Sequence, residues 1–260
     1  MSPPLIEMRE ISKTFGAVVA LRRVDLAIDR GEVLGLVGDN AAGKSTLMKV
    51  LSGAYTPDAG EILVAGTPVR FDGPIAARAA GIEMIYQDFA LIPQLTVTQN
   101  IFLGRERLHR RLGIATLDRR RMDEAAAAMF RKLGLRVPSV GSPVRELSGG
   151  QQQAVAIARA TAFDAKLVIM DEPTANLGAS AIAKVRETIQ RLKADGVAVI
   201  IISHRLEDIF TVGDRFMVMK HGHVVGSRHV SDTAMDEIVH MIVAGTDPRR
   251  PAAEVEPELS

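Results

Sequence analysis

The sequence contains no cysteine and no tryptophan, and aromatic residues make up only 4% of it. Without cysteine, the chain can form neither disulfide bonds nor metal sites built on thiolates. Apolar residues nevertheless make up 47%, so the core must be built almost entirely from aliphatic side chains. A length of 260 residues is enough for one large domain or for two lobes of one domain.

An excess of charge is also absent. The 32 Lys and Arg residues nearly balance the 31 Asp and Glu residues, which gives a formal net charge of +1. Domains that bind nucleic acids usually carry a basic patch or stripe. We therefore expect no nucleic-acid partner.

Long hydrophobic runs are missing as well. No segment approaches the roughly 20 apolar residues that span a bilayer, and the apolar runs at 167–170 and 197–202 have the length of strands. Residues 1–4 lack the basic flank and apolar region of a secretory signal. We expect a soluble chain, whose role at a membrane would depend on a partner.

The most informative segment is GDNAAGKS at 38–45. It follows an apolar run at 33–37 and precedes a helical pattern at 46–51. Strand, glycine-bounded loop and helix in this order predict a P-loop, which cradles phosphates with backbone N–H groups and a helix N-terminus. The predicted nucleotide-binding residues are Gly38, Asp39, Asn40, Ala41, Ala42, Gly43, Lys44, Ser45 and Thr46. Of these, Lys44 supplies a cation for the outer phosphates and Ser45 a hydroxyl for Mg²⁺.

A second apolar run, at 167–170, ends in Asp171 and Glu172. This pattern is typical of a Walker B strand, in which Asp171 holds Mg²⁺ through a water and Glu172 orients the attacking water. The alternative is a strand that ends in solvated acids. The P-loop earlier in the chain favours the catalytic interpretation.

Helical and strand patterns alternate along most of the chain, which predicts a mostly parallel sheet in an α/β fold. Ligands bind beyond the carboxyl ends of such strands, so one site should gather the P-loop, Gln87, Asp171, Glu172 and His204. Strands are predicted at 6–15, 24–28, 33–37, 61–64, 69–71, 81–87, 167–170, 197–202, 216–219 and 224–225. Helices are predicted at 74–80, 96–103, 118–133, 148–163, 179–194, 205–212 and 235–243. The basic segment 105–111 is predicted to be a loop.

The stretch Leu-Ser-Gly-Gly-Gln at 147–151 is the most specific motif. Ser148 suits a helix N-cap, but two glycines in the first turn each cost about 1 kcal/mol relative to alanine. A helix start opened in this way suits an anion. On this motif the sequence resembles the ATP-binding subunits of ABC transporters, which carry it as their signature.

The resemblance extends from about Ile6 to Gly245 and implies roles for further residues. Phe15 stacks on adenine, Gln87 contacts Mg²⁺ and senses the transporter, and His204 contacts the γ-phosphate. The implied catalytic residues are Glu172, His204 and Gln87, and the implied metal-binding residues are Ser45, Gln87 and Asp171. ATP and Mg²⁺ are the implied cofactors.

In this family two ATPase chains enclose two nucleotides between them, with the P-loop of one facing the signature of the other. This arrangement accounts for two phosphate-binding helix starts in one chain, at Gly43 and Ser148. The resemblance therefore implies that Ser148, Gly149, Gly150 and Gln151 act in trans. The partner ATPase is either a second copy or a paralogue.

Two positions depart from the family pattern. Ala41 stands where glycine is usual, and alanine is acceptable there only if its φ is negative; we expect nucleotide binding to survive with modest loss at most. Gly178 follows Leu177 where aspartate is usual. Because that aspartate supports contacts across the dimer, the coupling between the two sites is in question.

The implied fold is a P-loop NTPase (RecA-like) fold, with an antiparallel β subdomain and a helical insertion beside the mostly parallel sheet. We predict an ATPase domain at 1–247, with a core at 1–87 and 164–247 and a helical subdomain at 88–163. Residues 248–260, with three prolines and three glutamates, are predicted to be a mobile tail.

Residues 85–106 resemble the importers of simple sugars such as ribose, xylose, galactose and fructose, and the single ATPase half resembles the fructose-type branch. This implies a peripheral subunit at the cytoplasmic face of the inner membrane, with a membrane permease as partner and a periplasmic sugar-binding protein as an indirect one. Three alternatives stay open: import of another solute, a soluble ABC ATPase acting on ribosomes or DNA, and a P-loop kinase.

Overall fold

The computed structural model describes residues 3–111, 114–175 and 177–249. In these residues the strands are β1 (Ile6–Phe15), β2 (Val18–Ile28), β3 (Val33–Val37), β4 (Ala59–Val64), β5 (Thr67–Val69), β6 (Ile82–Ile85), β7 (Leu108–Arg111), β8 (Ile114–Leu117), β9 (Leu167–Asp171), β10 (Ala198–Ile202), β11 (Arg215–Lys220) and β12 (His223–His229). The helices are α1 (Lys44–Leu51), α2 (Pro74–Ala79), α3 (Val97–Phe102), α4 (Arg119–Leu133), α5 (Gly149–Thr161), α6 (Ala179–Ala194), α7 (Leu206–Val212) and α8 (Met235–Ala244).

A six-stranded sheet in the order β12-β11-β3-β10-β9-β6 forms the centre of the fold. All its neighbours pair in parallel except β11 and β12, which form an antiparallel hairpin. The strands β3 and β10 are buried along their whole length. Unbroken burial is expected for parallel strands that are covered on both faces.

Residues on the two faces of this sheet belong to different, mainly aliphatic cores. On one face, Leu34 and Ile200 pack with residues of β1, β2 and α1. On the other, Val199 and Ile201 pack with residues of α3, α4 and α5. Because side chains alternate along a strand, neighbouring residues of one apolar run serve different cores.

A second sheet, in the order β2-β1-β4-β5, is antiparallel and contributes to the first of these cores. The segment from α3 to α5 contributes most of the second core. The predicted α/β fold, with a mostly parallel sheet, an antiparallel β unit and a helical insertion, is confirmed. The boundaries of the predicted subdomains stay a prediction.

The loop predicted at 105–111 is confirmed for 105–107 and was wrong for 108–111. Residues 108–111 form β7, which pairs with β8 so that Leu108 lies opposite Leu117. Both leucines are exposed, at 61% and 43%. The hairpin residues whose exposure is described, 108, 109 and 115–117, are all exposed, so they give no alternation of buried apolar and exposed polar residues that the sequence could display.

The strand predicted at 69–71 ends at Val69, and β2 begins at Val18 rather than Val24. The predicted tail falls mostly outside the described residues. Within them, Arg249 donates hydrogen bonds to Glu237 at 2.7 and 2.8 Å. None of the helices in the described ranges combines the length and apolarity that a bilayer crossing requires.

Candidate nucleotide-binding site

The strand register brings the predicted site residues to one edge of the central sheet. Ile202 on β10 lies level with Leu36 on one side and with Asp171 on the other. Ile85 on β6 lies level with Met170. Beyond these paired residues, Gly38 follows Leu36 by two residues, and Glu172 directly follows Asp171. Gln87 and His204 follow Ile85 and Ile202 by two residues each. Four segments distant in sequence therefore meet at the carboxyl ends of β3, β10, β9 and β6.

The P-loop follows β3 and leads into α1. Gly38 and Gly43 have φ values of 144° and 101°. A Cβ on Gly38 would lie 2.1 Å from the carbonyl oxygen of Met219, and one on Gly43 would lie 2.8 Å from that of Ala20. Glycine is therefore required at both ends of the loop, for its backbone angles and for the close approach of β11 and β2.

Ala41 lies in the left-handed region, with φ 64°. The negative φ that we required for alanine at this position is therefore not observed. A left-handed alanine costs about 1–2 kcal/mol. A turn bond of 3.2 Å from the N–H of Ala42 to the carbonyl oxygen of Asp39 holds the loop in this conformation.

Lys44 folds its side chain back over the loop. Its Nζ donates to the carbonyl oxygens of Gly38 and Asp39, both at 2.7 Å. Burial lowers the pKa of Lys44, and the charges of Glu172, Asp39 and Asp171 oppose this shift. The carbonyls are neutral acceptors, so charged phosphate oxygens can replace them at the ammonium group.

Asp171 ends β9, Glu172 follows it, and the charges of both act on Lys44. Burial raises the pKa of Asp171, and the neighbouring charge of Glu172 raises it further, while Lys44 and Lys49 lower it. A cation at this point would favour the ionised carboxylate. In the part of the chain that the structure describes, no cluster of three or more His, Asp or Glu residues could hold a metal alone.

Mg²⁺ takes only one or two protein carboxylates and completes its shell with waters and phosphate oxygens. A donor set of the Asp171 carboxylate, the Ser45 hydroxyl and the Gln87 amide oxygen fits that preference, because all three are hard oxygen donors. Ser45 and Gln87 are exposed at this edge of the sheet, at the start of α1 and beyond β6.

Glu172 also lies in the left-handed region, with φ 49°. Its backbone N–H donates to the carbonyl oxygen of Ile202 at 2.9 Å, and its Oε1 accepts from the backbone N–H of His204 at 3.2 Å. Its Oε2 lies 2.8 Å from the Nδ1 of His204. Within the described residues Oε2 is buried and makes no hydrogen bond of acceptable geometry.

Phe15 ends β1 with 42% of its surface exposed. The edge of Tyr55 packs against it, with ring centroids 5.1 Å apart. Asp58 holds the preceding residue, Thr14, by hydrogen bonds of 2.7 and 2.8 Å. The exposed ring, held in place on its other side, fits the adenine-stacking role predicted for it.

The signature residues lie elsewhere. Ser148 and Gly149 are exposed at the start of α5, where the Oε1 of Gln151 accepts from the N–H of Ser148 at 2.9 Å. Ser148, Gly150 and Gln151 line a cavity of about 490 Å³ together with Gly178 and the first turn of α6, and no residue of the P-loop lines it. One chain therefore presents two separate helix starts that are suited to anions.

The described geometry agrees with a comparison against protein families. A family model described as ABC transporter matches residues 21–175, more than half of the chain. The chain belongs to the ABC transporter family.

Among curated ABC transporter proteins, the ribose import ATP-binding protein RbsA 2 of Streptomyces coelicolor is 48% identical over 92% of this chain and 45% of its own length. The xylose/arabinose import ATP-binding protein XylG of Sulfolobus acidocaldarius is 42% identical over 92% of this chain and 94% of its own length. The fructose import ATP-binding protein FrcA of Rhizobium meliloti is 42% identical over 96% and 97%. The chain thus spans about half the length of the ribose-type relative.

Solved ABC transporter structures have the same fold. The ATP-binding cassette MJ1267 matches this chain with a TM-score of 0.81 at 25% identity. The match covers 93% of this chain and 98% of MJ1267. The bacterial cassette MJ0796, described as dimeric, has a TM-score of 0.73 at 26% identity, with 86% and 98% covered.

Sequence reasoning missed the residues that hold the Gln87 loop of this ABC transporter chain. Phe89 and Ala90 have positive φ values of 60° and 44°, and Arg159 on α5 donates to their carbonyl oxygens at 2.7 and 2.6 Å. Burial, together with the charge of Arg78, lowers the pKa of Arg159. Arg159 therefore links the helix that begins at the signature to the loop after Gln87.

Two more polar residues on apolar helix faces act in a similar way. Asn100 is fully buried on α3 and holds the chain at Ile92 through hydrogen bonds of 2.8 and 3.0 Å. Gln153 is buried on α5 and donates to the carbonyl oxygen of Pro173, directly after Glu172. A polar residue in the middle of an apolar helical stripe is the sequence signal that could have found both.

Proposed function

We propose that this chain is the ATP-hydrolysing subunit of an ABC importer and energises the uptake of a monosaccharide through a separate membrane permease. The observation that carries the proposal is the meeting of Lys44, Asp171, Glu172 and His204 at one sheet edge. The relatives named as import ATP-binding proteins for ribose, xylose/arabinose and fructose support the sugar as substrate.

Within the site, the loop N–H groups and Lys44 bind the phosphates, and Phe15 carries the adenine. When bound, Mg²⁺ neutralises charge on the phosphate oxygens, held by Ser45, Gln87 and Asp171. The Glu172 carboxylate, which lies beside Lys44 and Asp171, accepts a proton from the attacking water. His204 holds the Glu172 carboxylate in place through its backbone N–H.

A complete site needs two chains. The signature of this chain lines a cavity that is separate from its P-loop. The signature of a second ATPase, Ser148 to Gln151, therefore closes over the phosphates that this chain binds. The dimeric description of MJ0796 supports this arrangement. The partner is a second copy or a paralogous ATPase.

The helical subdomain, residues 88–163, contacts the permease, and the core consists of 1–87 and 164–247. Gln87 and the loop that follows it connect the two. The subunit works at the cytoplasmic face of the inner membrane, and a periplasmic sugar-binding protein delivers the solute to the permease.

The variant Glu172→Gln tests the proposal. We expect ATP hydrolysis to fall by 10²-fold or more, in the range of lost general-base catalysis, while ATP binding persists. Phosphate release and ATP affinity are measured side by side. Glu124→Gln, an exposed change on α4, is the control and should hydrolyse ATP at the wild-type rate. Near-normal hydrolysis by Glu172→Gln would remove Glu172 from its role.

The fate of the γ-phosphate separates an importer ATPase from a kinase. With labelled ATP and an excess of ribose, xylose or fructose, we expect all label to appear as inorganic phosphate. Label on the sugar would contradict the proposal. Co-purification of a polytopic membrane protein with the chain from its native membrane checks the permease.

A further inference from the structure

Asp208, near the start of α7, is a charged residue buried to 2% exposure. Its Oδ2 accepts from the Oγ1 of Thr174 at 2.5 Å, and its Oδ1 accepts from the Nε and Nη2 of Arg186 at 3.0 and 2.5 Å. The Nε of Arg205 lies 3.7 Å from Oδ2. A buried carboxylate is tolerated only when it is paired and hydrogen-bonded in this way.

The partners of Asp208 come from three segments of the chain. Thr174 lies two residues after Glu172 and is itself buried to 2% exposure. Arg205 directly follows His204. Arg186 lies on α6, behind both. Asp208 is thus hydrogen-bonded or ion-paired to the segments that carry both proposed reacting side chains.

The segments that carry Glu172 and His204 both need contacts with other parts of the chain to keep their conformations. Glu172 has a strained left-handed backbone, followed by a tight turn in which the N–H of Ala175 donates to its carbonyl oxygen at 3.1 Å. Thr174 lies inside that turn. On the other segment, His204 is exposed and connects β10 to α7 over a few residues. Strain of this kind persists only where surrounding contacts determine it.

The proposed ATP hydrolysis depends on the positions of Glu172 and His204 relative to each other. Glu172 and His204 interact through the 3.2 Å hydrogen bond and the 2.8 Å approach of Oε2 to Nδ1. A displacement of either segment would move the Glu172 carboxylate relative to the bound phosphates, and misplacement of about 1 Å can cost 10²-fold in rate. Phosphate binding by the P-loop does not require this relation.

We infer that Asp208 is a positioning residue for ATP hydrolysis, which sets the placement of Glu172 relative to His204 through Thr174 and Arg205. The inference rests on the proposed ATPase function. Asp208 touches neither nucleotide nor water in this scheme, and its effect passes through its partners.

The variant Asp208→Asn keeps the size of the side chain and removes the charge that holds Arg186 and Arg205. We expect kcat to fall by about 10-fold or more, and KM and ATP affinity to stay within about 2-fold, because only the hydrolytic step depends on the lost geometry. Measurements are made at a temperature well below the thermal midpoint of each variant.

A pair of variants at Thr174 tests the same link without touching the charge. Thr174→Val removes the hydroxyl at nearly constant volume and should lower kcat in the same direction, whereas Thr174→Ser keeps the hydroxyl and should retain kcat within about 2-fold. This pair decides the question if Asp208→Asn does not fold.

Asp214 provides the matched control. It is half-buried at the opposite, amino-end edge of the same sheet, where it pairs with Lys193 and accepts from the N–H of Val33 at 2.9 Å. Asp214→Asn should lower thermal stability and leave kcat unchanged.

Unchanged kcat in Asp208→Asn or in Thr174→Val would overturn the inference. An equal loss of kcat in Asp214→Asn at an equal loss of stability would also overturn it, since Asp208 would then act on stability alone. Absence of ATP hydrolysis by the wild-type protein would instead overturn the proposed function itself, and the inference with it.

Discussion

Ala41 and Glu172 lie in left-handed backbone conformations at opposite sides of the candidate site, with φ values of 64° and 49°. Such conformations are unfavourable for residues with a Cβ and are concentrated at functional sites, where surrounding contacts maintain them. Glu172 is held by the carbonyl oxygen of Ile202, and Ala41 by the turn closed by Ala42. The backbone conformations of these two site residues therefore lower the stability of the folded chain.

At Ala41 this cost can be measured. Ala41→Gly should raise the free energy of unfolding by about 1 kcal/mol, because glycine adopts a positive φ without steric strain. Chemical denaturation of both proteins gives the difference. The control is Ala42→Gly next to it: Ala42 is buried, at 3% exposure, so its loss should destabilise. A destabilising Ala41→Gly would mean that the loop bears no strain there.

The β1–β2 hairpin and the segment after α1 illustrate how elements support the site. Asp58, which precedes β4, accepts hydrogen bonds from Lys13 at 2.6 Å and from Thr14. These bonds fix the end of β1 beneath Phe15. The hydrogen bond from Lys13, and to a smaller extent those from Thr14, lower the pKa of Asp58 from 3.8 to about 2.

This shift predicts the pH dependence of one contact. Because the folded-state pKa is depressed, the contribution of Asp58 to stability is fully present above pH 3.8 and is lost as the pH falls towards about 2. The difference in thermal midpoint between wild type and Asp58→Asn should therefore shrink when the pH is lowered from 5 to 2. A difference that stays constant over this range would contradict the assignment.

Asp72→Asn is the control for that titration. Asp72 is exposed and, among the described residues, makes no hydrogen bond or ion pair. Its substitution should change the thermal midpoint little, because it breaks no such contact.

At the scale of the whole molecule, the proposed site is complete only when a second chain contributes its signature. The P-loop and the signature lie on different parts of the surface, and the cavity at the signature includes the start of α6. Gly178 lines that cavity, and a Cβ there would meet no atom within 4 Å in the described structure. Packing within this chain therefore does not require glycine at 178, and the effect of the missing aspartate on coupling stays a prediction.

Nucleotide should therefore control association. With Glu172→Gln and saturating ATP, we expect the molar mass from light scattering to double relative to the nucleotide-free protein. Lys44→Ala should stay monomeric under the same conditions, because weakened phosphate binding leaves nothing for a second signature to clasp. Full-rate hydrolysis by a chain that does not associate with any ATPase partner would contradict the two-chain site.

The sequence predicted most of the fold and most of the candidate site because both depend on local patterns. Periodicity located β1 and α6 with the bounds that the structure has, and glycine spacing identified the P-loop. The sequence predicted neither the β7–β8 hairpin, whose described side chains are exposed, nor the positive φ of Ala41, which its neighbours impose.

The sequence by itself determined the order of strands and helices, the phosphate-binding loop and the acids at the end of β9, because periodicity, glycine conformation and motif spacing act over a few residues. Only the tertiary structure decided which polar groups meet: Glu172 with His204, 32 residues apart, and Asp208 with Thr174 and Arg186, 34 and 22 residues apart. A buried polar group must find some partner, but the strand register and the helix packing select which one.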